Sequence, residues 1–136
     1  MSLQAISDPI VSYESDPLIL VNEQDQATGF LDKAACHDGE GLLHRAFSVF
    51  IFNKHGEVLL QRRAEGKRLW PGYWSNSCCS HPRAGEEIPE AARRRTEQEL
   101  GLHCELTPLY AFTYHARFQD LGAEWEHCHV LVGQLE

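Results

Sequence analysis

The sequence predicts an α+β domain: a mixed β-sheet flanked by helices. Two observations carry that expectation. Apolar, aromatic and β-branched runs of strand length recur between Asn- and Gly-containing turns, and one stretch, Pro89 to Leu100, has the length and end signals of a helix. A third bounds the size: 136 residues suffice for one domain with a single core and no staples.

In chain order, residues 1–17 are mixed and aperiodic and read as an N-terminal arm, with the domain proper at 18–136. Leu18 to Val21 reads as a short buried strand. Asn22-Glu23-Gln24-Asp25-Gln26 turns it, and Thr28 to Lys33 returns as its hairpin partner. His37 to Leu43 is a polar loop. Ala46 to Phe52 is a strand by its aromatic and β-branched content. Asn53-Lys54-His55-Gly56 is a hairpin turn, and Glu57 to Arg63 the next strand. In the helix, Pro89 suits the first turn, Glu86, Glu87 and Glu90 favour the positive end, and Gly101 stops it in the left-handed conformation. Leu106 to Tyr114 and Trp125 to Leu135 are two further strands around a loop at Gln119 to Gly122.

Twenty acidic against 12 basic residues give a net charge of −8. Such a field repels polyanions, so nucleic acid and anionic membrane are excluded as main partners. A local basic cluster can still capture a small anion. Five cysteines, two of them adjacent, with no signal-peptide pattern, argue against a disulfide framework and for a cytoplasmic location. The longest apolar runs are strand-sized. Oligomeric state is not legible.

Chemistry concentrates first in Trp74-Ser-Asn-Ser-Cys-Cys-Ser-His-Pro82. Cys79 and His81 are two apart, so on an extended backbone they project to the same side. Taken alone, Cys-x-His is a weak signal, because a buried thiol usually behaves as a small hydrophobe. Glu124 and Glu126 straddle Trp125 and share a strand face, with His127 and His129 on the other. His37, His44 and His81 come from separate segments. Three imidazoles and two carboxylates suit a Zn, Mn or Fe site of five or six ligands better than a thiolate zinc knot.

The helix, Arg94-Arg-Thr-Glu-Gln-Glu-Leu-Gly-Leu102 preceded by Glu86, resembles the Nudix box, whose carboxylates hold a divalent metal on a diphosphate. Arg95 and Gln98 stand where that box has glutamates, and only Glu99 survives of the paired acids. Hydrolysis needs several carboxylates to hold metals and activate water, so a hydrolase reading is weakened. Arg95 and Glu99, four apart, share a helix face.

Lys33-x-x-x-His37, His44-Arg-Ala-Phe-Ser48, Arg62-Arg63, Lys67, Trp70-Pro-Gly-x-Trp74, Asn76-Ser-x-Cys79-x-His81-Pro82 and Glu124-x-Glu126-x-Cys128 together resemble the type 1 isopentenyl-diphosphate isomerases, a family with a Nudix-like fold. The match runs in unbroken order from about residue 18 to 133. It implies that His37, His44, His81, Glu124 and Glu126 hold one Mn²⁺ or Zn²⁺, and that Glu99, helped by the Cys79 carbonyl, holds a Mg²⁺ on the substrate diphosphate. Lys33, Arg63, Lys67 and Arg95 would grip that diphosphate. Cys79, Glu126 and Tyr114 would carry the proton transfers, with Glu126 as acid and Cys79 thiolate as base, and Trp70 and Trp74 would line the substrate pocket. Family members continue for several dozen residues past Glu136, so the resemblance also implies that this chain lacks a covering C-terminal segment. Two other readings stand beside the isomerase: a Nudix-type diphosphate hydrolase, and a non-catalytic module that binds metal and prenyl diphosphate.

Overall fold

The computed structural model describes residues 13–135. Its strands are β1 (Pro17–Val21), β2 (Ala27–Asp32), β3 (His44–Phe52), β4 (Gln61–Arg62), β5 (Trp74–Ser75), β6 (Cys78–Ser80), β7 (Leu106–Phe118) and β8 (Gly122–Gln134), with helices α1 (Lys33–His37) and α2 (Ile88–Leu100). The main sheet runs β2-β1-β3-β8-β7, and β6 adds to β3. β3 and β8 pair in parallel at its centre, while the other pairings are antiparallel, so the sheet is mixed as predicted. β4 and β5 form a separate two-stranded ribbon.

The core gathers where alternation turns apolar side chains of β3, Phe47, Val49 and Ile51, toward Leu131 of β8 and toward α2. Each such fully buried side chain contributes roughly 1.5–3 kcal/mol. The helix presents Ala91 and Ala92 to this cluster, and these small residues let its backbone approach the sheet closely. Its ends follow the sequence signals. The Glu87 amide donates to the Glu90 carboxylate at 2.7 Å, Pro89 sits in the first turn, and Gly101 adopts φ 68°.

Three expectations need correction. Lys33 to His37 is helical, so the predicted strand ends one residue early: Asp32, the last residue of β2, accepts from the Ala35 amide at 2.7 Å and caps a short helix. Glu57 to Arg63 does not form one strand. Only Val58 bridges back to Phe52, and Gln61–Arg62 pairs with β5 instead. The reason is Ser77, whose buried hydroxyl accepts from the Ile51 amide at 2.8 Å and donates to the Leu59 carbonyl at 2.6 Å. It wedges between the two segments and leaves the edge of β3 to β6. The last two strands are longer than predicted and turn over residues 119–121.

Of the predicted arm, residues 1–12 lie outside the described residues; Pro17 already belongs to β1, and Glu14 approaches Lys33 and Arg68 at 3.9 and 3.8 Å. Among the described residues, no helix is long and apolar enough to cross a membrane.

Candidate active site

Sheet register builds the centre of the site. On β8, Glu126 faces His44 of β3 on one side and Tyr114 of β7 on the other. Tyr114 Oη donates to Glu126 Oε1 at 2.6 Å. The second oxygen, Oε2, lies 3.2 Å from His81 Nε2 and 3.3 Å from His44 Nε2. His81 follows β6, and His37 arrives at the last turn of α1. Gly122 makes that arrival possible: its φ is 149°, and a Cβ there would run into the His37 carbonyl. The three imidazoles cluster with ring centroids 5.0–6.0 Å apart.

These donors fit a divalent metal. His37, His44, His81 and Glu126 each turn one ligand atom into a space where all lie within 4.8 Å of one another. The Nε2 atom of His37 is buried and meets no hydrogen-bond partner, and that of His44, also buried, has only the Glu126 carboxylate at 3.3 Å, outside good hydrogen-bond geometry. Orphaned buried nitrogens are costly without an acceptor of their lone pairs or a donor to them. His44 Nδ1 is held 2.8 Å from the Leu42 carbonyl, the outer contact that leaves Nε2 as the ligating atom. Burial, with His81 and His44 nearby, pushes His37 down to about 3. Burial likewise brings His81 to about 4 despite Glu126, so both rings are neutral and able to ligate at pH 7. For His44, burial works downward, but the Glu126 contact outweighs it and the net direction is up. Burial also opposes the charge on Glu126, yet His44 and His81 hold it well below the usual carboxylate range.

Glu124 lines the same cavity but stays outside the group of four. Burial, then the charge of Glu126, raises it to about 7. Glu99 projects from α2 into the cavity; Arg95 pairs with it, and Gln61 donates to it at 3.1 Å. The remaining Nudix-box acid, Glu86, is taken up by Arg94 in two contacts of 2.7 and 2.9 Å.

The cavity holds about 860 Å³, within the range of small-molecule sites. Lys33, Arg63, Lys67 and Arg95 all line it, a concentration of positive charge inside an acidic protein. Burial and the neighbouring cations lower Lys33, and bring Lys67 down to about 8. Arg63 is engaged by the Leu69 carbonyl at 2.8 Å and the Trp70 carbonyl at 3.1 Å, so it also shapes the loop that carries Lys67. Trp70 lines the wall while its ring packs on Phe118, centroids 5.2 Å apart; Trp74 lies at the mouth, 68% exposed.

Cys79 reaches the cavity from β6. Its thiol contacts Ser48 at 3.6 Å, Ser75 at 3.5 Å, and Asn76. Burial pushes its pKa up against the help of those hydroxyls, so the thiol keeps its proton at neutral pH while Glu126 carries charge. Sequence reasoning did not single out this Ser48–Ser75–Asn76 cradle. Ser48 stands in the sequence only as a motif position, and its contact with the thiol follows from the strand register that puts it opposite Cys79.

The NUDIX domain pattern matches residues 42–136, more than half of the chain. The chain belongs to the NUDIX family. Within that family, this NUDIX chain is 50% identical over 117 residues to isopentenyl-diphosphate Delta-isomerase 1 of Photorhabdus laumondii, covering 85% of itself and 66% of that protein. It is 48% identical to isopentenyl-diphosphate Delta-isomerase 2 of Aromatoleum aromaticum, over 87% of itself and 62% of the relative. The isopentenyl-diphosphate Delta-isomerase of Halorhodospira halophila matches at 48%, with 86% and 67% covered. The chain therefore spans about two thirds of the length of these curated relatives. Among solved structures, DR0079 from Deinococcus radiodurans superposes with a TM-score of 0.70 at 25% identity, over 89% of this chain and 73% of that one. The MutT protein from Methanosarcina mazei Go1, at TM-score 0.56 and 21% identity over 69% and 65% of the two chains, shares the fold. The family read from the motifs is the family found.

Proposed function

We propose that residues 18–136 form the domain that isomerises isopentenyl diphosphate to dimethylallyl diphosphate. The observation that carries this reading is the cavity itself: four cations at 33, 63, 67 and 95 share it with Cys79 and with the Tyr114–Glu126 pair. The reaction adds a proton at C4 of the substrate and removes one from C2. The double bond moves through a tertiary cation at C3.

Lys33, Lys67, Arg63 and Arg95 offer charge to the diphosphate, which anchors the five-carbon chain by its polar end. Of Cys79 and the Tyr114–Glu126 pair, one gives its proton to C4 while the other, deprotonated, takes the proton from C2, and the two exchange roles with the direction of the reversible reaction. The indole of Trp70 offers a face to the cationic carbon, an interaction of roughly 0.5–2 kcal/mol. His37, His44, His81 and Glu126, with Glu124 beside them, would hold a Mn²⁺ or Zn²⁺ that orients the Glu126 carboxylate, and Glu99 a Mg²⁺ that neutralises diphosphate charge. The single helix carboxylate facing the cavity speaks against hydrolysis, since Glu86 is held by Arg94.

The test is proton NMR in D₂O on isopentenyl diphosphate with Mg²⁺ and Mn²⁺ present. Deuterium should enter the product methyl, and Cys79→Ala should lower the rate about 10²–10⁴-fold, the usual contribution of a positioned proton-transfer group. An unchanged Cys79→Ala rate would remove the thiol from the mechanism. Release of inorganic phosphate without double-bond movement would replace the isomerase by the hydrolase reading.

A further inference from the structure

The face of β8 opposite Glu126 presents His127 and His129, two residues apart on the same strand. Register places His127 between Arg45 of β3 and Thr113 of β7. Over them lies Asp25, from the β1–β2 turn, at φ 60°. Its Oδ2 is 2.8 Å from His129 Nε2 and 3.9 Å from His127 Nε2. The donor atoms of the three side chains lie within 4.8 Å of one another.

We propose that Asp25, His127 and His129 form a second divalent-metal site, suited to Zn²⁺-class ions, separate from the His37/His44/His81/Glu126 group. Two imidazoles and one carboxylate are a donor set that transition ions favour over Mg²⁺ or Ca²⁺. Ligand atoms about 2.0–2.1 Å from one ion sit no more than about 4.2 Å apart, so both Asp25 distances already fall inside the limit. The outer contacts are those of a ligand set. Arg45 donates to Asp25 Oδ1 at 2.8 Å and to the Asp25 carbonyl at 2.7 Å, which fixes the carboxylate and leaves Oδ2 aimed at the rings. Thr113 Oγ1 lies 2.9 Å from His127 Nδ1 and can accept its proton, which directs the Nε2 lone pair inward. Burial works against the charge on Asp25, but Arg45 and His129 prevail, so it is ionised at neutral pH. The guanidinium's positive charge opposes any dication beside Asp25, so binding would rest chiefly on the two imidazoles.

Occupation has a structural consequence. By strand register the β1–β2 hairpin pairs with β3 at one position, Leu20 with His44, and Arg45 of β3 adds its two contacts to Asp25. A metal joining Asp25 to β8 would clamp that hairpin onto the sheet centre, on the other side of the strands that carry His44 and Glu126.

The test is equilibrium dialysis of the whole chain against Zn²⁺, with protein-bound metal counted. His127→Gln/His129→Gln should bind one equivalent fewer than the wild type, while His37→Gln/His81→Gln should retain this second equivalent. Asp25→Asn, which keeps an acceptor for Arg45, should weaken the second equivalent at least about tenfold. Imidazole ¹⁵N spectra give an independent readout, with shifts at His127 and His129 on the second addition. Equal Zn²⁺ stoichiometry in wild type and a folded His127→Gln/His129→Gln chain, or unshifted resonances of those two rings in the wild type, would overturn the proposal.

Discussion

Lys67 shows how far a single charge depends on its surroundings. Burial, then the neighbouring Lys33 and Arg63, brings it from 10.5 to about 8. Between those two pH values the unfolded chain binds more protons than the folded one at this position, so its contribution makes stability rise with pH across that window. An anion reverses the effect by favouring the charged amine. Near pH 8 roughly half of Lys67 is neutral, and binding of pyrophosphate should draw protons from solution. Titration calorimetry at pH 8, in two buffers of different ionisation enthalpy, should show that uptake. It should shrink by pH 6.5 and vanish in Lys67→Met. Buffer-independent heats would mean that the amine does not sense the anion.

Ser77 decides the path of a whole segment. It satisfies the Ile51 amide and the Leu59 carbonyl at once, so the chain past Leu59 peels away and forms the β4–β5 ribbon beside the cavity. That ribbon frames the loop carrying Lys67 and Trp70. Ser77→Ala leaves a buried amide and a carbonyl without that partner, and should cost about 1–3 kcal/mol. The urea midpoint should fall with an unchanged slope; a midpoint within error of the wild type would show that the backbone re-pairs without the hydroxyl. β6 next to it explains why adjacent cysteines differ. Alternation sends Cys78 into the core, toward Glu99, and Cys79 to the cavity.

The four donor residues of the His37/His44/His81/Glu126 group come from α1, β3, the residue after β6, and β8. These segments are far apart in the chain, so an ion there opposes separation of any of them. Mn²⁺ at about a hundred times its dissociation constant should stabilise the fold by about 2.7 kcal/mol. A thermal melt should show the midpoint rising by several degrees, reversed by chelator and absent in His44→Gln. No rise in the wild type would mean that the four donors do not bind the ion. The same separation explains what sequence reading misses. His37, His44 and His81 were nameable because a family pattern selects them, whereas Asp25 with His127 and His129 is 102 residues apart at its nearest and has no local signal.

Local chemistry, read from the sequence alone, was enough to determine the mixed sheet, the helix with its Pro89 and Gly101 ends, and the shared face of Glu124 and Glu126, while the basic and histidine residues proposed for the site came from the family resemblance. Period, capping and turn preference act over a few residues, so the chain displays them directly. Tertiary structure decided which of those residues meet. Register set His44 and Tyr114 on either side of Glu126, Ser77 diverted a strand that its own side chains favour, and the β1–β2 turn brought Asp25 over the far face of β8. Those outcomes rest on pairing between distant strands and on burial, and both exist only once the sheet has closed.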